Sequence, residues 1–330
     1  MLAHVRMNGR IFGVCLLVAV TAFAWWASHE NGKGSRLSWI ITVGLVVGFA
    51  SRYSGGAADL EWARAPVPYI RWPYRWPGIW LRSRRLRISC AVACAVLEAV
   101  VENTLVNFVS LPTSSEFVSP NKLASYQPHP YMTIRDQAMV WMGHALASPK
   151  PSLIKTVLNA PSLVDTQAFI ITFSMGIVVF LRNPRLGEAT VVVVAVYITV
   201  LRLLRTITFC ATRIPPPSVE CLYRKMFVDT PGTGAGIWAN LMWSVKWSPG
   251  GGCNDLIFSG HATLFAAVIV GCLCIASPRM SVLLGALGVP TLLRSIATQH
   301  HYTVDMLVAV YVSVLLYFAL IGWRYRTLDP

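Results

Sequence analysis

The stretch QHHYTVDMLVAV (299–310) places His301 four residues before Asp305, at the head of a long apolar run. On a helix that spacing puts both side chains on one face, within hydrogen-bonding reach. A carboxylate on one imidazole nitrogen fixes the tautomer and leaves the other nitrogen as a base or nucleophile. His300 is an alternative nucleophile, but no acid stands four residues beyond it. CNDLIFSGHATL (253–264) sets His261 at the start of a second apolar run. One such histidine would read as a satisfied residue at a helix end. Two histidines with an orienting acid suffice for phosphoryl transfer: one attacks phosphorus and the other protonates the leaving oxygen.

Arginines and acids inside the apolar runs extend this chemistry. Arg205, near the end of its run, can hold a lipid phosphate through charge-assisted hydrogen bonds. Arg202 and Arg294 can do the same, or simply snorkel or pair with an acid. Glu98 and Glu102, four apart, could share a proton or bind a cation. Pairing with Arg202 or Arg205 across helices is the favoured reading, with Glu102 near enough to the histidine-bearing end to reach a headgroup.

The elements that must carry these residues follow from composition. The 330 residues are 55% hydrophobic and only 13% charged, with a mean hydropathy of +0.55. That is too little charge to cover a soluble protein of this length, so the chain reads as an all-α integral membrane protein. Runs long enough to span occur at about 11–27, 37–51, 88–110, 166–181, 189–209, 258–277, 280–297 and 302–323. Several are close to the usual lower limit of length, and 37–51 could instead be interfacial. The N-terminal run lacks a small-residue cleavage site and reads as a retained helix.

The net charge of +14 sits largely in clusters flanking these runs, and no nucleic-acid recognition module is present. Arg82, Arg84, Arg85 and Arg87 precede the third run. Arg182 and Arg185, then Arg279, then Arg324 and Arg326 mark alternate ends further on. The positive-inside rule puts these ends in the cytosol and the histidines on the lumenal or exoplasmic face. The loops 111–165 and 210–257 fall on the histidine face too. The segment 66–87 mixes Pro, Trp, Tyr and Arg, as an interfacial anchor does. Eight cysteines form no CxxC pair. Cys221 and Cys253 bracket a polar loop in a disulfide-permissive compartment and are expected to bond, with Cys210 as a competing partner.

With these features assembled, CNDLIFSGH and HYTVD resemble the paired histidine motifs of the sphingomyelin synthase-like sphingolipid synthases, distant relatives of the lipid phosphate phosphatases. RTITFCATRIPPP (205–217) is similar to that family's Arg-rich motif, and APSLVD (160–165) weakly echoes its Pro-Leu-Pro-Asp. The resemblance covers about 88–323. It divides the chain into a catalytic core of six transmembrane helices, 88–330, and an N-terminal part, 1–87, with an extra apolar hairpin and the interfacial segment.

The resemblance implies that His301 is the nucleophile, Asp305 its orienting acid and His261 the general acid and base. Arg205, Asp255, Ser259, Tyr302 and Glu102 are the expected substrate-binding residues. The implied reaction moves a phosphoalcohol headgroup (choline, ethanolamine or inositol) from a glycerophospholipid to ceramide through a phosphohistidine, releasing diacylglycerol. It needs no metal or cofactor, its partners are membrane lipids, and its place is the Golgi, secretory pathway or plasma membrane. The family's Cys-Gly-Asp is Cys253-Asn254-Asp255 here, and Ala262 replaces the Thr after Ser-Gly-His. Neither change removes a proposed catalytic group, though both could alter headgroup preference. Two other enzymes would use similar motifs: a phosphatidylcholine:diacylglycerol cholinephosphotransferase, and a lipid phosphate phosphatase. The absence of a Lys-x6-Arg-Pro motif argues against the phosphatase. A transporter or scaffold would have no need of intact His261, His301 and Asp305.

Overall fold

A computed structural model describes residues 40–47, 66–71, 84–109, 136–159, 165–212, 257–275, 278–298 and 300–324. The first long helix, α1 (Arg84–Val109), begins four residues before the apolar run does. Arginine is a good helix former, and here Arg87 contributes a 3.0 Å ion pair to Glu188 on a neighbouring helix. The stretch 111–165, expected to be a loop, contains two short helices among its described residues, α2 (Gln137–Ala147) and α3 (Leu153–Asn159).

Helix α4 (Asp165–Arg182) turns sharply into α5 (Pro184–Ala211). Asn183 forms the junction: its side chain accepts from the Leu186 N–H at 3.1 Å, and Pro184 opens the next helix. This is the favoured order of an N-cap followed by proline. Gly187 makes the turn possible, because a Cβ there would lie 2.6 Å from the Phe180 Cα. Helices α6 (Gly260–Cys274), α7 (Pro278–Ala297) and α8 (Thr303–Leu320) complete the bundle.

Among the described residues α5, α7 and α8 are long and apolar enough to cross a membrane; the apolar parts of α4 and α6 are shorter. The described residues are mostly helical, and many of their large apolar side chains face outward. Leu315, Phe318 and Tyr311 on α8 are 68%, 66% and 64% exposed, more than a water-soluble surface would carry on one helix. Inside, one buried cluster gathers Met175, Leu186, Phe265 and Leu284, and a second gathers Tyr197, Leu201, Phe258, Tyr302 and Met306. Residues 40–47 are helical, and Val46 packs into the first cluster. That part of the 37–51 run therefore contributes to the core.

The chain departs from an all-helical reading at one place. Strand β1 (Val67–Ile70) pairs antiparallel with β2 (Ile321–Arg324), from Val67 opposite Arg324 to Ile70 opposite Ile321. The last apolar run therefore leaves the helix at Leu320, and part of the 66–87 segment is a strand. The pairing joins residues some 250 positions apart, and neither four-residue strand shows the alternation that marks a strand locally. Pro68 fits because a two-stranded ribbon has open edges where no N–H is required.

The ion pairs fix the sense of the bundle. Arg87 meets Glu188 near the start of both α1 and α5, while Glu98 and Glu102 meet Arg202 and Arg205 further along both. Helices α1 and α5 therefore run parallel, with their arginine-bearing starts together. The end of α5 lies against the start of α6, where a Cβ on Gly260 would touch the Arg205 guanidinium at 3.4 Å.

Candidate active site

Three chain segments meet at that junction. The first is the end of α5, which delivers Arg205, a residue only 4% exposed. Its Nε donates to the Phe258 carbonyl at 2.7 Å and its Nη1 donates to Glu102 of α1. Its guanidinium also lies 5.5 Å from the Phe209 ring centroid. Arg202, one turn earlier, donates from Nε to Glu102 at 2.6 Å and lies 3.2 Å from Glu98. Both glutamates are thus engaged by arginine, and Glu102 is the shared partner. Burying these charges is tolerable only because each finds an opposite charge.

The second segment is the head of α6. Ser259 is fully buried and caps the helix, its hydroxyl accepting from the Ala262 N–H at 3.4 Å. Gly260 follows, and its missing side chain lets the Arg205 guanidinium lie directly against the backbone. His261 comes next, exposed on the first turn.

The third segment is the α7–α8 connection. The Ser295 carbonyl, near the end of α7, accepts from the backbone N–H groups of His300 at 2.9 Å and His301 at 3.3 Å. His301 therefore precedes α8, with Tyr302 at the N-cap and Asp305 in the third helical position. The four-residue spacing is consequently not the shared helix face expected from sequence. The two side chains approach because Asp305 reaches back around the helix start: its Oδ2 accepts from the Tyr302 N–H at 2.9 Å and lies 3.5 Å from His301 Nδ1. His301 Nδ1 and Asp305 Oδ1 are buried with no hydrogen-bond partner within the described residues. Closing the 3.5 Å separation from Asp305 Oδ2 would give His301 Nδ1 its partner.

The second and third segments are joined directly, since the Ser259 N–H donates to the Asp305 carbonyl at 3.2 Å. The rings of His261 and His301 stand edge to face, 5.7 Å between centroids and 76° between planes. His300 is exposed and turned aside, its Nδ1 2.9 Å from the Thr298 hydroxyl.

The structure thus brings together His261, His301, Asp305, Arg205, Glu102, Ser259 and Tyr302. Tyr302 is fully buried in the second core cluster. Asp255, Cys221, Cys253 and Pro161 lie outside the described residues. Arg294 stands apart, donating from Nε to the Leu158 carbonyl at 2.7 Å. Among the described residues no three His, Cys, Asp or Glu side chains gather as metal ligands would. Sequence reasoning missed Asp136, whose carboxylate accepts from both the backbone N–H and the hydroxyl of Thr303. Its partner is 167 residues away, and no local spacing points to it.

The family model described as PAP2 superfamily C-terminal matches residues 252–321, which span α6, α7, α8 and both histidines. An Arabidopsis thaliana protein named phosphatidylinositol:ceramide inositolphosphotransferase 3 is 28% identical over 190 residues. Together these two matches support a sphingomyelin synthase-like, PAP2-related family for this chain. The inositolphosphotransferase match covers 53% of this chain and 65% of the Arabidopsis protein. A second Arabidopsis protein, named PHLOEM UNLOADING MODULATOR, is 37% identical over 68 residues, 21% of this chain and 16% of its own. The matches thus leave part of each relative's own length uncovered. No solved structure matches. The PAP2 match and the inositolphosphotransferase relative support a lipid phosphotransferase or phosphatase family, which fits the apolar helices around this site.

Proposed function

We propose that this chain moves a phosphoalcohol headgroup from a glycerophospholipid to ceramide, releasing diacylglycerol. The observation that carries the reading is the meeting of His261 with His301 and Asp305 beside the Arg205–Gly260 contact. Phosphatidylinositol is the first donor to offer, since the 28% identical relative is named for it; phosphatidylcholine and phosphatidylethanolamine are the others.

The proposed steps assign each of these residues a role. Asp305 holds the Nδ1 proton of His301, so Nε2 carries the free lone pair. That nitrogen attacks the donor phosphorus while the bond from phosphorus to the glycerol oxygen breaks. His261 gives its proton to the departing diacylglycerol oxygen. Ceramide then enters, His261 takes the proton of its primary hydroxyl, and the ceramide oxygen attacks the phosphohistidine. The N–P bond breaks and both histidines return to their starting state. Arg205, already oriented by Glu102 and Phe258, supplies positive charge as the phosphoryl oxygens gain charge in the transition state.

The PAP2 match supports a second reading, in which water replaces ceramide and the product is a phosphomonoester. A single experiment separates the two. Purified protein in vesicles is given fluorescent ceramide, fluorescent diacylglycerol and each donor in turn, with products identified by mass spectrometry. A headgroup-bearing ceramide with stoichiometric diacylglycerol is expected. Product on diacylglycerol or water alone, with every donor, would overturn the ceramide assignment.

The membrane arrangement belongs to the same proposal: α1, α4, α5, α6, α7 and α8 form six spans, preceded by an N-terminal part whose residues 40–47 and strand β1 pack against them. The parallel pairing of α1 and α5 and the arginines at their starts support a cytosolic location for those ends. The histidines then meet the lumenal or exoplasmic leaflet of the secretory pathway or plasma membrane. Thr298→Cys and Arg326→Cys, probed with an impermeant thiol reagent on sealed microsomes against the native cysteines, test this. Labelling of Arg326→Cys only is expected from the cytosolic side; the reverse pattern rejects a lumenal reaction.

A further inference from the structure

His301 lies in a short connection between two helices, and a residue far away in sequence braces that connection. Asp136 caps α2, its Oδ1 accepting from the Met139 N–H at 3.0 Å. The same oxygen accepts from the Thr303 hydroxyl at 3.0 Å, and Oδ2 accepts from the Thr303 backbone N–H. Thr303 opens α8, between His301 and Asp305. The first N–H groups of a helix have no partner within it, so the helix start is free to be held from outside. Asp305 holds it from one side through the Tyr302 N–H; Asp136 holds it from the other.

The brace has a firm footing. Arg294 of α7 donates to the Leu158 carbonyl of α3. Gly143 lets α2 lie against the Ala297 carbonyl at the end of α7, 3.4 Å from where a Cβ would stand. The connection that carries His301 is thus spanned by a helical pair fastened to α7 before it and α8 after it.

We propose that Asp136 is a positioning residue for the His301–Asp305 pair, acting through Thr303. The inference rests on the phosphohistidine reading above and adds a residue that none of the sequence motifs contains. Its rival is a plain N-cap whose only duty is to start α2. Asparagine separates them, because it caps a helix about as well as aspartate. It keeps one acceptor oxygen but puts an NH₂ group where the second must accept from Thr303.

Headgroup transfer by Asp136→Asn should show kcat reduced about tenfold, and by Asp136→Ala about a hundredfold, with donor KM changed less than about twofold. Thr303→Val keeps the N–H and removes the hydroxyl, and its loss should be non-additive with Asp136→Asn. An arm independent of turnover is carbethoxylation by diethyl pyrocarbonate, read as the His301:His300 ratio by peptide mass. Loosening the brace should raise that ratio by about threefold or more, His300 being the exposed internal reference. If the unaltered protein transfers no headgroup, the phosphohistidine reading fails, and the ratio alone decides the role of Asp136. Wild-type kcat in Asp136→Asn, additive losses with Thr303→Val, or an unchanged ratio would overturn the proposal.

Discussion

His301→Ala should abolish headgroup transfer, and Asp305→Asn should slow it on the order of 10⁴-fold by analogy with a mis-set catalytic tautomer. The reason lies in which atoms remain. Asparagine at 305 can still accept from the Tyr302 N–H, so the helix start survives. That oxygen takes the place of Oδ2, which also lies 3.5 Å from His301 Nδ1. Nδ1 then faces a neutral amide instead of a carboxylate, and an NH₂ group turned there would give up the Tyr302 bond. A donor there moves the imidazole proton to Nε2 and removes the lone pair that must attack phosphorus. The readout is transfer from a labelled phospholipid, with an alkaline quench to preserve any phosphohistidine. Near-normal transfer by purified His301→Ala would remove this histidine from the mechanism.

The second large effect is on stability. Glu102 is 5% exposed and bridges Arg202 and Arg205. Glu102→Ala removes the carboxylate that engages both the buried Arg205 and the partly buried Arg202, while Glu98 stays 3.2 Å from Arg202. Breaking such a buried pair costs about 3–5 kcal/mol, because the remaining charge is uncompensated. Arg87→Ala is the matched control: that side chain is 42% exposed, and its pair with Glu188 contributes about 1 kcal/mol or less. Unfolding in mixed micelles should rank the two variants clearly. Equal midpoints for Glu102→Ala and Arg87→Ala would sink this account of the α1–α5 contact.

Residues whose own type or near spacing announces a partner were the legible ones. The membrane helices could be read because apolar runs need no partner to be recognised. The favoured pairing of Glu98 and Glu102 with Arg202 or Arg205 was legible because a charge inside an apolar run needs an opposite charge. His301 and Asp305 were found for a partly mistaken reason. Their spacing of four suggested a helix face, but their contact comes from a residue in the first helical turn reaching back past the N-cap. The same spacing serves both geometries, and only the position of the helix start distinguishes them. Asp136 carried no local signal at all. Neither did β1 and β2, whose pairing depends on how the two distant ends of the bundle come together.

The shared charges of α1 and α5 also bear on how the protein is made. In the six-span arrangement α1 leaves the ribosome carrying two glutamates, while the arginines that neutralise them lie about a hundred residues later. At about 5–20 residues per second, that gap corresponds to about 5–20 s of synthesis. An uncompensated charge in mid-membrane is costly, so α1 is a poor candidate for release into lipid alone. In that arrangement its stable integration would await α5, and the two helices would enter the bilayer as a unit. A truncation ending before Arg202 would strand α1 at the translocon, making the buried charge cluster a checkpoint on whether the rest of the chain has arrived.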